Sequence, residues 1–339
     1  MTSTPTRRGW TSPAIVLRAV AITVSVSSVA ACVTQGTVVE HSVSPAERPS
    51  VELADTPFYS DTEHQFGPAA LAIVLGASGV TATPAELTPA AYAPSPQTSM
   101  QTVLMSMPRK YARLSYQIAP QLAAILTELD ASRPVLVLQN SGASLLSKSH
   151  FAVVIGYDSH TDTIVLRSAG SRRQVVAARN FMLAWSNAER WAMLVLRPGD
   201  LPAAVSRERY LQAAADFELA GRPEDSTLAF DAALKRWPDE PLAWIGRAEA
   251  RLQAGDPVAA ARDYRTALRI DGSNAGARNS LAMILLDLGC IHRAQSQIDR
   301  ITESALADPL RSTVEHSRDR IADRSQNLMA QEPPACAQF

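Results

Sequence analysis

Three glycines, Gly221, Gly255 and Gly289, are separated by 34 residues twice in succession. A fixed period of that length constrains a chain more than its composition does. Each repeat must be one supersecondary unit that buries its apolar face only against its neighbours. The surrounding sequence repeats in phase: Phe230-Asp231-Ala232-Ala233-Leu234 returns as Tyr264-Arg265-Thr266-Ala267-Leu268. With repeats at 207–240, 241–274 and 275–308, small residues recur at Ala214, Ala248 and Ala282, then at Ser226, Ala260 and Ala294. Small residues let two antiparallel helices approach, and a glycine permits the turn between them. Three units are about the minimum that buries a continuous core. Thr313–Gln331 reads as a capping helix and Glu332–Phe339 as a tail, together filling 309–339.

This pattern resembles the tetratricopeptide repeat. Tyr210 and Trp244 hold its aromatic opening position, and Arg278 departs from it in the third repeat. Pro238 falls on its closing proline, which Gly272 replaces one repeat later. The resemblance implies an all-α array that offers a surface to a peptide or protein partner, with Tyr210 and Trp244 as candidate binding residues.

From Thr56 to about residue 200 the pattern changes to α+β: helices first, then an antiparallel sheet. Gly67–Gly79 is an apolar helical run, Thr83 caps a helix that starts at Pro84, and Thr98–Arg109 and Gln121–Asp130 are further helical candidates. Pro134–Gln139, His150–Tyr157, Thr163–Arg167 and Trp191–Leu196 are short and rich in β-branched residues, as strands are. Asp158–Asp162 reads as a hairpin turn, and Pro198–Pro202 as a linker to the repeats. Trp185 and Trp191 are candidates either for core packing or for lining a groove.

Two segments carry the chemistry of this part. One is Gly67-Pro68-Ala69-Ala70-Leu71; the other is Ser149-His150-Phe151-Ala152-Val153-Val154-Ile155-Gly156-Tyr157-Asp158. They resemble the two halves of a papain-like cysteine peptidase site, in the bacteriocin-processing, double-glycine-leader family. The resemblance implies a papain-like domain over 56–200, with a nucleophile at the start of the first helix and His150 as its base. A helix N-terminus lowers a thiol pKa, a histidine takes its proton, a third group orients the imidazole, and a donor stabilises the oxyanion. The motif places position 66 at the nucleophile, and there the chain has Phe66. Asp61 falls on the oxyanion donor, where a carboxylate repels the developing charge. Arg167 falls on the orienting aspartate, with Asp158 or Asn140 as alternatives for that role. The domain therefore reads as a degenerate peptidase in which only His150 keeps its catalytic identity.

The N-terminus reads as a processing signal. Arg7, Arg8 and Arg18 precede an apolar run, Ala19–Ala31, too short to span a bilayer. It ends Val29-Ala30-Ala31-Cys32, similar to a bacterial lipobox, which implies lipidation of Cys32 and removal of 1–31. Residues 32–55 read as a flexible tether. Val33 after the cysteine fits retention at the outer membrane, facing the periplasm. Of the three cysteines, Cys290 and Cys336 are free to pair in an oxidising compartment, and their spacing matches no metal site. The net charge of −1 gives no argument for a nucleic-acid partner, and no cofactor is implied. Three functions compete: a lipid-anchored peptide- or protein-binding pseudoenzyme, an active peptidase with another nucleophile, and a pure scaffold.

Overall fold

The computed structural model describes residues 49–60, 66–92, 98–142, 149–168, 170–302, 308–326 and 332–339, all within one compact unit. The signal segment, Cys32, most of the tether and Asp61 lie outside the described residues, as does the side chain of Phe66.

The α+β part runs β1 (Val51–Glu52), α1 (Phe66–Ala77), α2 (Pro84–Ala91), α3 (Met100–Ser106), β2 (Leu114–Gln117), α4 (Leu122–Asp130) and β3 (Val135–Asn140). It continues with β4 (Ser149–Asp158), β5 (Thr163–Ser168), β6 (Ser171–Ala177), α5 (Ala178–Ser186) and β7 (Ala192–Leu196). The strands form one antiparallel sheet in the order β2-β7-β3-β4-β5-β6, with β1 also paired to β4. The hairpin expected at Asp158–Asp162 joins β4 to β5, and Asp162 takes a left-handed φ of 50° to turn it.

Local chemistry explains the helices. Thr83 Oγ1 accepts from the Glu86 N–H while the Glu86 carboxylate accepts from the Thr83 N–H, a reciprocal cap for α2. Ser99 caps α3 through the Thr102 N–H. Helix α1 carries no charged residue, and Leu71, Ala72 and Leu75 are fully buried. A helix apolar all round must be covered on every side. One face of the sheet does part of that work: Phe151, Val153 and Ile155 of β4 share a core with α1. The alternate residues, Ala152 and Val154, face the opposite core with Phe181 and Trp185 of α5.

Val51 and Glu52 correct the tether expected over 32–55, because they pair with Tyr157 and Gly156. Two residues are too few to show strand alternation. The pairing depends on Gly156, where a Cβ would lie 2.4 Å from the Val51 carbonyl oxygen.

Among the described residues six helices build the repeats: α6 (Arg207–Leu219), α7 (Pro223–Arg236), α8 (Pro241–Gln253), α9 (Pro257–Ile270), α10 (Ala275–Asp287) and α11 (Ile291–Ile298). Helix α12 (Asp308–Gln326) follows. Prolines 223, 241 and 257 open α7, α8 and α9, where a missing N–H costs nothing. Gly221, Gly255 and Gly289 take φ of +66°, +83° and +79° in the turns within the three repeats. The six small residues singled out by the period are all fully buried. Ser226 Oγ also donates to the Ala214 carbonyl, tying α7 to α6.

Pro198–Pro202 does not separate two independent bodies. One hydrophobic core joins β2, α4 and α5 to α6, α7 and Ala243 of α8. Buried polar groups fix the same junction. Tyr116 Oη accepts from the Ser206 N–H at 2.8 Å, and the fully buried Glu128 carboxylate accepts from the Ala204 N–H at 2.8 Å. Arg109 pairs with Asp216 of α6.

Candidate functional site

The beginnings of α1 and β4 meet through a shared core. Leu138 of β3, Phe151 of β4 and Trp191 belong to the same cluster as Ala70 and Leu71 of α1. At the helix start, a Cβ on Gly67 would approach Met100 Sδ to 3.3 Å, so α3 closes over this end. Phe66 is the first residue of α1, the place that the motif gives to a nucleophile. That helix end carries positive backbone charge suited to an anionic group, whereas a benzyl side chain has no lone pair with which to attack a carbonyl.

His150 is half-buried near the start of β4, directly across the ladder from the buried Gln139. Gln139 is a polar neighbour that the sequence reading did not single out; the polar end of Val-Leu-Val-Leu-Gln-Asn was its signal. Beside it, Asn140 Oδ1 accepts from the Gly142 N–H and the Asn140 carbonyl accepts from Asn187.

Arg167 is the departure from the orienting aspartate of the motif, and the orienting role offered to Asp158 in its place is corrected. Asp158 sits at the other end of β4, eight residues from His150, which is roughly 26 Å of extended strand. Its carboxylate accepts from Ser50 Oγ and from the His160 and Thr161 N–H groups, which hold it below its usual pKa. Arg167 lies opposite Val153, and its guanidinium donates to the Ala54 and Arg172 carbonyls at 2.8 Å each. A guanidinium has no acceptor to offer an imidazole N–H. Arg167 is a buried strut between β5 and the segment after β1.

The aromatic binding candidates divide. Trp185 is fully buried, and its Nε1 donates to the Trp191 carbonyl at 3.0 Å. Trp191 packs edge-on against Phe151 at 5.8 Å. Tyr210 is fully buried against Trp237. These three are core residues rather than groove walls, because apolar packing claims them first. Trp244 is half-buried, donates to the Pro238 carbonyl and carries Arg247 over its ring at 4.5 Å. It alone of the four keeps partial exposure.

Cys290 and Cys336 are joined in a disulfide, with Cα atoms 5.4 Å apart. No free thiol therefore remains among the described residues, and none of their His, Cys, Asp and Glu side chains cluster to hold a metal.

The model of the Peptidase_C39 like family matches residues 55–193. A curated relative, cellulose synthase operon protein C of Xanthomonas axonopodis pv. citri (strain 306), is 32% identical over 142 residues. That match takes in 38% of this chain, which spans only 9% of the relative's length. A crystal structure of a C39-like peptidase from Bacillus anthracis aligns with 44% of this chain and 98% of its own, at 17% identity and a TM-score of 0.39. A crystal structure of MamA aligns with 36% of this chain and 79% of its own, at 14% identity and a TM-score of 0.29. The chain thus carries a domain resembling the Peptidase_C39 like family, followed by a helical array of the tetratricopeptide-repeat kind.

Proposed function

We propose that this is a lipid-anchored, catalytically degenerate member of the cysteine-peptidase kind that binds a peptide or protein partner without cutting it. Phe66 carries the reading, standing at the first position of α1 where the motif requires a thiol. Removing the nucleophile of a cooperative site leaves only what binding contributes. The disulfide supports the same view, since it occupies two of the three cysteines. Partner binding is supported by the retained peptidase-like frame and by the repeats, which the shared core holds in fixed relation to it.

Anchoring through Cys32 at the outer membrane, facing the periplasm, is part of the proposal. It rests on Ala30-Ala31-Cys32 and Val33, and the Cys290–Cys336 bond fits an oxidising compartment. Metabolic labelling with a fatty-acid probe, followed by membrane fractionation, tests it. Label that persists in Cys32→Ala would sink it. The binding claim is tested by anisotropy titration of the full chain with labelled double-glycine-leader peptides. Saturable binding with the peptide recovered intact is expected; cleavage, or no binding, overturns the reading.

A further inference from the structure

Four arginines of the first two repeats are matched to carboxylates. Arg207 pairs with Glu240, Arg222 with Asp225, Arg247 with Asp231 and Asp263, and Arg251 with Asp263. The groove between α9 and α11 is different. Arg262, Arg265 and Arg269 reach it from α9, Arg278 from α10, and Arg300 from just beyond α11. None of these five forms an ion pair among the described residues. Four of them donate to neutral oxygens. Arg262 and Arg265 bond the side chain and carbonyl of Gln338 at 2.7 Å each; Arg269 bonds Thr266, and Arg278 bonds Gln297 and the Gly272 carbonyl.

The groove has room for a ligand. A cavity of ≈450 Å³ adjoins a second of ≈500 Å³, and the two share Arg265, Leu281, Gln297 and Arg300. Described residues lining the first cavity include no carboxylate. Glu332 and Phe339 border the second against Arg265, Arg293 and Arg300, and the His292 N–H donates to Glu332. The concentration of charge is local, because the whole chain carries 32 basic and 33 acidic side chains. Burial, and then the charge of Arg300, holds the Arg278 guanidinium below its usual pKa. The field in the groove is thus unbalanced and positive.

The groove also touches a peptide already. Residues 332–339 lie along it, fixed by the Cys290–Cys336 bond, with Gln338 presenting its carbonyl oxygens to Arg262 and Arg265. A polypeptide backbone, here the 3-10 turn Pro334–Gln338, therefore fits beside these guanidinium groups. A planar guanidinium matches a carboxylate as a two-pronged donor.

We infer that the α9–α11 groove is a docking site for an acidic, Asp- and Glu-rich segment of a partner polypeptide. Its carboxylates pair with Arg269, Arg278 and Arg300, while its backbone runs beside the tail over Leu268 and Leu281. This builds on the partner-binding reading above by naming a surface and a charge class. The surface belongs to the second helices of repeats two and three with the edge of α10.

The test is fluorescence anisotropy of the full chain with a labelled 12-residue acidic peptide, against a neutral Asn/Gln peptide of the same length. Saturable binding of the acidic peptide is expected, weakening at least about tenfold when salt rises from about 50 to about 200 mM. The exposed pair Arg269→Glu/Arg300→Glu is expected to weaken binding by a further tenfold or so, equal to about 1.4 kcal/mol. Arg269→Gln/Arg300→Gln should show a smaller loss, and Arg236→Glu on the exposed side of α7 none. Thermal melts of each variant establish that it folds. Equal affinity for both peptides, or acidic-peptide binding that the double variants leave unchanged, overturns the site while leaving partner binding elsewhere intact. Binding of pyrophosphate alone, without the peptide, also overturns it.

Discussion

Removing the Cys290–Cys336 disulfide is expected to destabilise the C-terminal end of the repeats by about 4 kcal/mol. The magnitude comes from the 46-residue separation of the two cysteines. Closing a loop of that size in the unfolded chain removes entropy worth about 4 kcal/mol, within the 2–5 kcal/mol usually lost with a native disulfide. The sulfurs also sit in a core with Ile291, Ile298, Val314 and Ile321, so Cys290→Ala/Cys336→Ala adds the loss of two buried contacts. Urea unfolding of oxidised, reduced and doubly substituted protein measures the effect. Hydrogen exchange over α10, α11 and α12 locates it. Two free thiols titrating in the folded, non-reduced protein would refute the reasoning. So would a stability change below about 0.5 kcal/mol.

Further expectations follow from individual contacts. Gly246→Ala places a Cβ 2.1 Å from the Phe230 ring, and a cost of about 1–3 kcal/mol from overpacking should exceed the roughly 1 kcal/mol gained in helix propensity; urea unfolding checks this, and Phe230→Leu should suppress it. Burial, with help from Glu249, pushes Glu218 up to about 7. The folded state then holds this proton more tightly than the unfolded chain, so the contribution of Glu218 is fully present below about pH 4.5 and is lost as pH rises through 7. Glu218→Gln should flatten that decline by on the order of 1–3 kcal/mol in denaturation curves between pH 5 and pH 8. Arg167→Met strands the Ala54 and Arg172 carbonyls, and faster hydrogen exchange across 50–54 is expected, with a loss of about 2–3 kcal/mol. Phe66→Cys should yield an alkylatable thiol but no peptide hydrolysis, because Asp61 stands where the motif places the oxyanion donor.

The sequence reading succeeded where a residue type serves one local purpose. Glycines and small residues recurring at a fixed period marked the repeats from spacing alone. The Thr83 cap and the turn at Asp158–Asp162 were legible for the same reason. Strand β6 was not, because Ser-Arg-Arg-Gln-Val-Val-Ala is a polar edge strand with most of its residues exposed. Strand β1 is too short to carry a period, and only its register against Gly156 reveals it. At the site, the motif put Phe66 at the head of α1 and His150 near the start of β4, but it could not place the orienting group. That role depends on register and on distance along a strand, which exclude Asp158. The aromatic candidates show a related limit: composition marks Trp185, Trp191 and Tyr210 as available for binding, and packing puts them in the core. The arginine groove combines three helices and a tail, and so appears only after folding.

The central claim is that the peptidase-like domain no longer cuts peptide bonds. The most direct measurement is incubation of the purified chain with double-glycine-leader peptides under reducing conditions, followed by mass spectrometry of the products. The account predicts intact peptides, and the same result for His150→Ala. Cleavage by the natural chain that disappears in His150→Ala would contradict it.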